Sequence, residues 1–97
     1  MKKPALRIVL KPLQREPEAR KARRLYGLSS GRTIWIDPRY SNVIYTLLHE
    51  LIHVERPSWS ETQVKRETTR RWKKLGWREK AELYRMLGRA RLGEEDV

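Results

Sequence analysis

The sequence predicts a small α+β domain, with a sheet of two or three short strands packed against a central helix and two or three further helices. Three observations carry this prediction. Two short apolar runs stand between prolines and turn residues, as strands do. Four longer stretches space their apolar residues as helices do, and each closes on a glycine or a proline. The most apolar of these stretches holds both histidines of the chain.

Leu6 to Leu10 is the first strand, bounded by Pro4 and Pro12. Gln14 to Tyr26 reads as a helix, with acids early (Glu16, Glu18), bases late (Arg20, Lys21, Arg23, Arg24) and Gly27 placed to end it. Ser29-Ser30-Gly31 reads as a turn. Arg32-Thr33-Ile34-Trp35-Ile36 is the second strand, stopped by Asp37-Pro38. Tyr40 to about Glu55 is the central helix, capped by Ser41 or Asn42 and ended before Pro57. Ser60 caps a helix from Glu61 to about Leu75, with Val64, Thr68, Trp72 and Leu75 inward. A last helix runs from about Arg78 to Leu92, and Gly93 closes it.

The 97 residues make one domain with a small core, which a bound metal would reinforce. The chain has no cysteine, which excludes disulfides and thiolate metal sites. No apolar run is long enough to span a bilayer, and Met1-Lys2-Lys3-Pro4 is not followed by the apolar core of a signal peptide. A cytoplasmic protein with no membrane partner is the expectation. The net charge of +11 favours acidic partners, nucleic acid among them.

The central helix contains His49-Glu50-Leu51-Ile52-His53. Residues i and i+4 share one helical face, so the two imidazoles can grip one zinc ion. Glu50 is then placed as general base toward the activated water. The alternative is an ordinary pair of helix histidines. The broad apolar surface of Val43, Ile44, Leu47, Leu48, Leu51 and Ile52 argues against it, because a buried polar trio needs a partner. A catalytic zinc takes three protein ligands. With neither a third histidine nor a cysteine in the chain, the third must be a carboxylate. Glu61, in the first turn of the next helix, is favoured over Glu67, and Glu55 faces away.

The motif His49 to His53, followed by a glutamate on the next helix, resembles the gluzincin metallopeptidases, and in size the chain is similar to minigluzincins and to small phage-encoded zincin-like proteins. The resemblance spans roughly Leu25 to Gly76, through Ile34 to Pro38, Leu47 to His53, Pro57 and Ser60 to Val64. It implies a zincin-like fold, one zinc ion held by His49, His53 and Glu61, and Glu50 as general base in peptide hydrolysis. It also implies that strand Arg32, Thr33, Ile34, Trp35, Ile36 forms the cleft rim, where a peptide substrate pairs. Larger gluzincins carry an aspartate four residues after the ligand glutamate. Here Lys65 follows Glu61 at that distance, and Arg71 follows Glu67, so support for the histidines must come from elsewhere. Tyr26, Tyr40, Tyr45 and Tyr84 are candidates for stabilising the transition state, and so are several arginines.

A second reading is a basic nucleic-acid-binding or regulatory module. Lys65, Arg66, Arg70, Arg71, Lys73 and Lys74 crowd one helix with Trp72 and Trp77 nearby, and bases interleaved with aromatics suit a phosphate-tracking surface. The bland alternative is a solvated helix face over core tryptophans. The acidic tail Glu94 to Val97 is expected to be a mobile end, although the resemblance also allows it to lie in the cleft as a self-inhibitor.

Overall fold

The computed structural model describes residues 5–13, 26–39 and 42–92. Among these residues four strands and three helices follow in the order β1 (Arg7–Leu10), β2 (Gly27–Ser30), β3 (Thr33–Ile36), α1 (Val43–Glu55), α2 (Glu61–Lys74), α3 (Trp77–Gly88) and β4 (Arg91–Leu92). The class is α+β, with a mixed sheet in the order β2-β3-β1-β4. The expected helix from Gln14 lies outside the described residues except for Tyr26, which is not helical. The tail from Glu94 also lies outside them, as do Tyr40 and Ser41.

Two strands appear where none was expected. Gly27, read as a helix stop, opens β2, which pairs antiparallel with β3 from Gly27↔Ile36 to Ser30↔Thr33. The turn between them is two residues long, and Gly31 takes φ 59°, the left-handed conformation that short hairpin turns require. The expected last helix ends at Gly88 rather than Leu92. Arg91 and Leu92 instead pair in parallel with Val9 and Leu10.

β1 and β3 run parallel in the middle of the sheet, with Ile8 opposite Ile34 and Leu10 opposite Ile36. Ile8, Ile34 and Ile36 send their side chains into the core. There they meet Ile44, Leu47, Leu48 and Ile52 of α1, Val64 of α2 and Leu83 of α3. Each such side chain stabilises the fold by roughly 1.5–3 kcal/mol on burial. α1 touches β2, β3, α2 and α3, so the histidine helix is the hub of the fold.

Asp37 does more than end β3. It is buried, and its Oδ2 accepts from the Leu13 backbone N–H at 3.0 Å. Arg39 holds both oxygens, with Nε 3.0 Å from Oδ1 and Nη2 2.8 Å from Oδ2. Burial pushes this carboxyl up, but these hydrogen bonds and the Arg39 charge outweigh it and leave the pKa below its ordinary value. Leu13, fully buried, is pinned to the sheet by this carboxylate. Among the described residues no helix is long and apolar enough to cross a membrane.

Candidate metal centre

Two local devices aim the ligands. Asn42 starts α1 in the left-handed conformation at φ 62°, which asparagine tolerates, and its side chain accepts from Tyr45 N. This fixes the phase of the helix and turns Leu47, Leu48 and Ile52 inward. His49, Glu50 and His53 then fall toward one cleft. At the start of α2, Ser60 and Gln63 form a reciprocal capping box: Ser60 N donates to Gln63 Oε1 at 2.8 Å, and Gln63 N donates to Ser60 Oγ at 3.2 Å. The box sets Glu61 as the first helical residue, facing back across the Arg56–Ser60 connection toward α1.

Glu61 shares its carboxylate between the two histidines. Oε1 lies 2.7 Å from His49 Nε2, and Oε2 lies 2.8 Å from His53 Nε2. The rings stand edge to face with centroids 4.9 Å apart. Among the described residues this is the one group of three whose ligand atoms converge, all within 4.8 Å of one another. Glu67, the other carboxylate considered, is elsewhere. Arg70 and Arg71 grip it at 2.6 and 2.9 Å and hold its carboxyl well below the usual range. Glu55 faces away from the histidines and pairs with Arg71 at 3.1 Å.

Support for His49 comes from Thr68, one helical turn beyond Val64. The buried Thr68 hydroxyl donates to Val64 O at 2.7 Å. Its lone pair is then available to His49 Nδ1, 3.5 Å away, a contact that suits the tautomer with the ring hydrogen on Nδ1. In that tautomer the lone pair of His49 is on Nε2, toward Glu61. An imidazole lone pair and a carboxylate oxygen 2.7 Å apart require a cation between them, either a proton or a metal ion. Burial lowers the pKa of His49, with His53 and Lys65 acting in the same direction and Glu61 opposing. The ring thus favours the neutral state in which it ligates metal. Two imidazole nitrogens and one carboxylate, with no sulfur, form a donor set that could hold a divalent metal ion.

Glu50 lies at the floor of a cleft of about 710 Å³. Burial pushes its carboxyl up to about 7, against the opposing pull of His53 and a hydrogen bond with Ser29, while Glu61 raises it further. Gly27 makes room for it: a Cβ at that position would stand 3.1 Å from Glu50 Oε2. The cleft walls are Tyr26 to Ser29 on one side and Glu61, Lys65 and Thr69 on the other.

The expected rim strand needs correction. β3 is hydrogen-bonded on both sides, to β2 and to β1, so Thr33, Ile34, Trp35 and Ile36 have no free edge for a peptide. Ile34 and Ile36 are fully buried, and Arg32 lies in the hairpin turn. The cleft is bordered instead by β2, the end strand of the sheet among the described residues. Sequence reading missed β2 because Gly27, Ser29 and Ser30 have low strand propensity. Of the tyrosines, Tyr26 and Tyr45 line the cleft. The Tyr45 hydroxyl meets Thr69 Oγ1 at 3.3 Å, and its ring packs edge-on against Trp72. Tyr84 is exposed on α3, and Tyr40 lies outside the described residues. Comparison of the chain with protein-family models, curated proteins and solved structures gave no match.

Proposed function

We propose that the protein is a zinc-dependent metallopeptidase of minimal gluzincin type. The observation that carries this reading is the convergence of His49 Nε2 and His53 Nε2 on the two oxygens of Glu61, beside a buried Glu50. Three nitrogen and oxygen ligands suit a catalytic zinc, which keeps a further position open, whereas a structural zinc is closed by four. When bound, the ion supplies Lewis acidity that polarises a carbonyl and makes water a stronger acid.

The chain's own residues supply the rest. Glu50, with a carboxyl near neutrality, is suited to accept a proton from water and return it to the leaving amine. Ser29 holds the Glu50 carboxyl by a hydrogen bond. β2 is the end strand of the sheet among the described residues, its Gly27-Leu28-Ser29 segment borders the cleft, and an extended peptide would pair along its outer edge. Tyr26 lines the cleft wall, and a phenol hydroxyl there would be a candidate donor to a developing oxyanion.

The test is cleavage of an unstructured protein by zinc-loaded wild type and Glu50→Gln. Loss of roughly 100-fold or more in rate with metal retained supports the reading. Equal rates in the two proteins would remove the general-base role.

A further inference from the structure

The six bases of α2 divide into two groups. Arg70 and Arg71 are taken up by Glu67, and Arg71 also reaches Glu55. Lys65, Arg66, Lys73 and Lys74 have no carboxylate partner among the described residues. These four, with Thr62, Thr69 and the Glu67-paired Arg70, line a shallow groove along the outer side of α2. Thr62, Arg66, Thr69 and Lys73 follow at i, i+4, i+7 and i+11, the spacing of a single helical stripe. Lys65 and Thr69 line both this groove and the cleft that holds His49, Glu50 and His53. Lys65 stands one turn after Glu61, and its charge is felt at His49.

We propose that this stripe selects the substrate: an acidic segment of a polypeptide docks along Lys65, Arg66, Lys73 and Lys74, while the neighbouring stretch enters the cleft. The proposal deepens the metallopeptidase reading and rests on it. Exposed lysines and arginines that are not neutralised within the fold are free to pair with an incoming carboxylate. The shared residues make the track continuous with the reacting groups, so a docked segment is delivered to Glu50 rather than held apart from it.

Nucleic acid fits the same groove less well. A track for single strands interleaves cations with aromatic faces on which bases stack. Here Trp72 is turned to the Tyr45 ring at 5.3 Å and lies under Lys80, outside the groove lining. Trp77 is exposed, but it stands on α3 and does not line the groove either.

The experiment measures fluorescence anisotropy of two labelled, unstructured peptides of equal length, one rich in Asp and Glu and one neutral, with the full chain at low and physiological salt. Three proteins are compared: wild type, a stripe variant (Lys65→Glu, Arg66→Glu, Lys73→Glu), and a control with equal net charge (Arg78→Glu, Arg85→Glu, Arg89→Glu). The proposal expects the acidic peptide to bind wild type and the control at least tenfold more tightly than the stripe variant, through several exposed ion pairs acting together. It also expects acidic flanks to lower KM for cleavage by wild type. Equal losses in the stripe variant and the control would overturn it, because net charge alone would then explain binding. Tighter binding of a single-stranded oligonucleotide of matched charge would overturn it in favour of nucleic acid. The binding comparison needs no turnover, so a failure of docking is read separately from a failure of Glu50→Gln to abolish cleavage.

Discussion

Gly27 of β2 lies directly against Glu50 of α1, so closely that a Cβ on Gly27 would stand 3.0 Å from Glu50 Cγ and 2.7 Å from Thr46 Cγ2. The contact ties the edge strand of the sheet to the floor of the cleft. Gly27→Ala must move one of them apart, and overpacking of this kind costs about 1–3 kcal/mol. Thermal or denaturant unfolding should show that loss, together with reduced cleavage. Thr46→Ser removes the nearer methyl, so the double variant Gly27→Ala/Thr46→Ser should recover part of the stability. No recovery would mean that the crowding lies elsewhere.

The raised pKa of Glu50 sets a pH dependence in the metal-free protein. Below about pH 4.5 the carboxyl is protonated both folded and unfolded, and it costs nothing. As pH rises to about 7 the unfolded chain gives up the proton while the folded chain keeps it, so stability falls through this window. The full effect is about 3 kcal/mol. Glu50→Gln removes it. In the presence of chelator the variant should be more stable than wild type above pH 7, and the difference should shrink toward pH 4.5. A difference that does not change with pH would contradict the burial of this carboxyl.

Thr68 is expected to act on the metal through His49. Thr68→Val keeps the size of the side chain and removes the hydroxyl that meets His49 Nδ1. Metal affinity, measured by competition with a chromophoric chelator, should fall about 10–100-fold. Thr68→Ser should restore it. Unchanged affinity in Thr68→Val would assign the hydroxyl to helix packing alone.

Asp37→Asn tests the joint between β3 and the Leu13 segment. Its carboxylate accepts from Leu13 N and from the backbone and side chain of Arg39. Loss of the charge should cost roughly 1–3 kcal/mol in stability at neutral pH. Because the pKa of Asp37 is lowered by folding, its contribution is present above the ordinary carboxylate range and fades as pH falls through the folded value. The gap between wild type and Asp37→Asn should therefore narrow in acid.

The convergence of His49, His53 and Glu61 was legible because it is built from short-range signals. His49 and His53 are one turn apart on a strongly apolar helix, and Ser60 as N-cap announces where Glu61 begins the next. Counting histidines and cysteines then left only a carboxylate for the third place. Relations set by pairing partners were not legible. Nothing local shows that β1 lies parallel beside β3, which removes β3 from the rim. Gly27 looked like a helix stop because its close approach to Glu50 joins positions 23 residues apart in the chain. Thr68 looked like one more inward helix residue, since its role appears only once His49 is seen across from it. The helical charge cluster was visible, but its division between the Glu67-bound Arg70 and Arg71 and the unneutralised Lys65, Arg66, Lys73 and Lys74 depends on side-chain geometry.

The most direct test of the account is the metal content of the purified, zinc-loaded chain after exhaustive dialysis, for wild type and for His49→Ala, Glu61→Ala and Glu67→Ala. With circular dichroism confirming the fold of each variant, wild type and Glu67→Ala should retain one equivalent of zinc, and His49→Ala and Glu61→Ala should retain almost none. One full equivalent in Glu61→Ala, or its loss in Glu67→Ala, would contradict the centre formed by His49, His53 and Glu61.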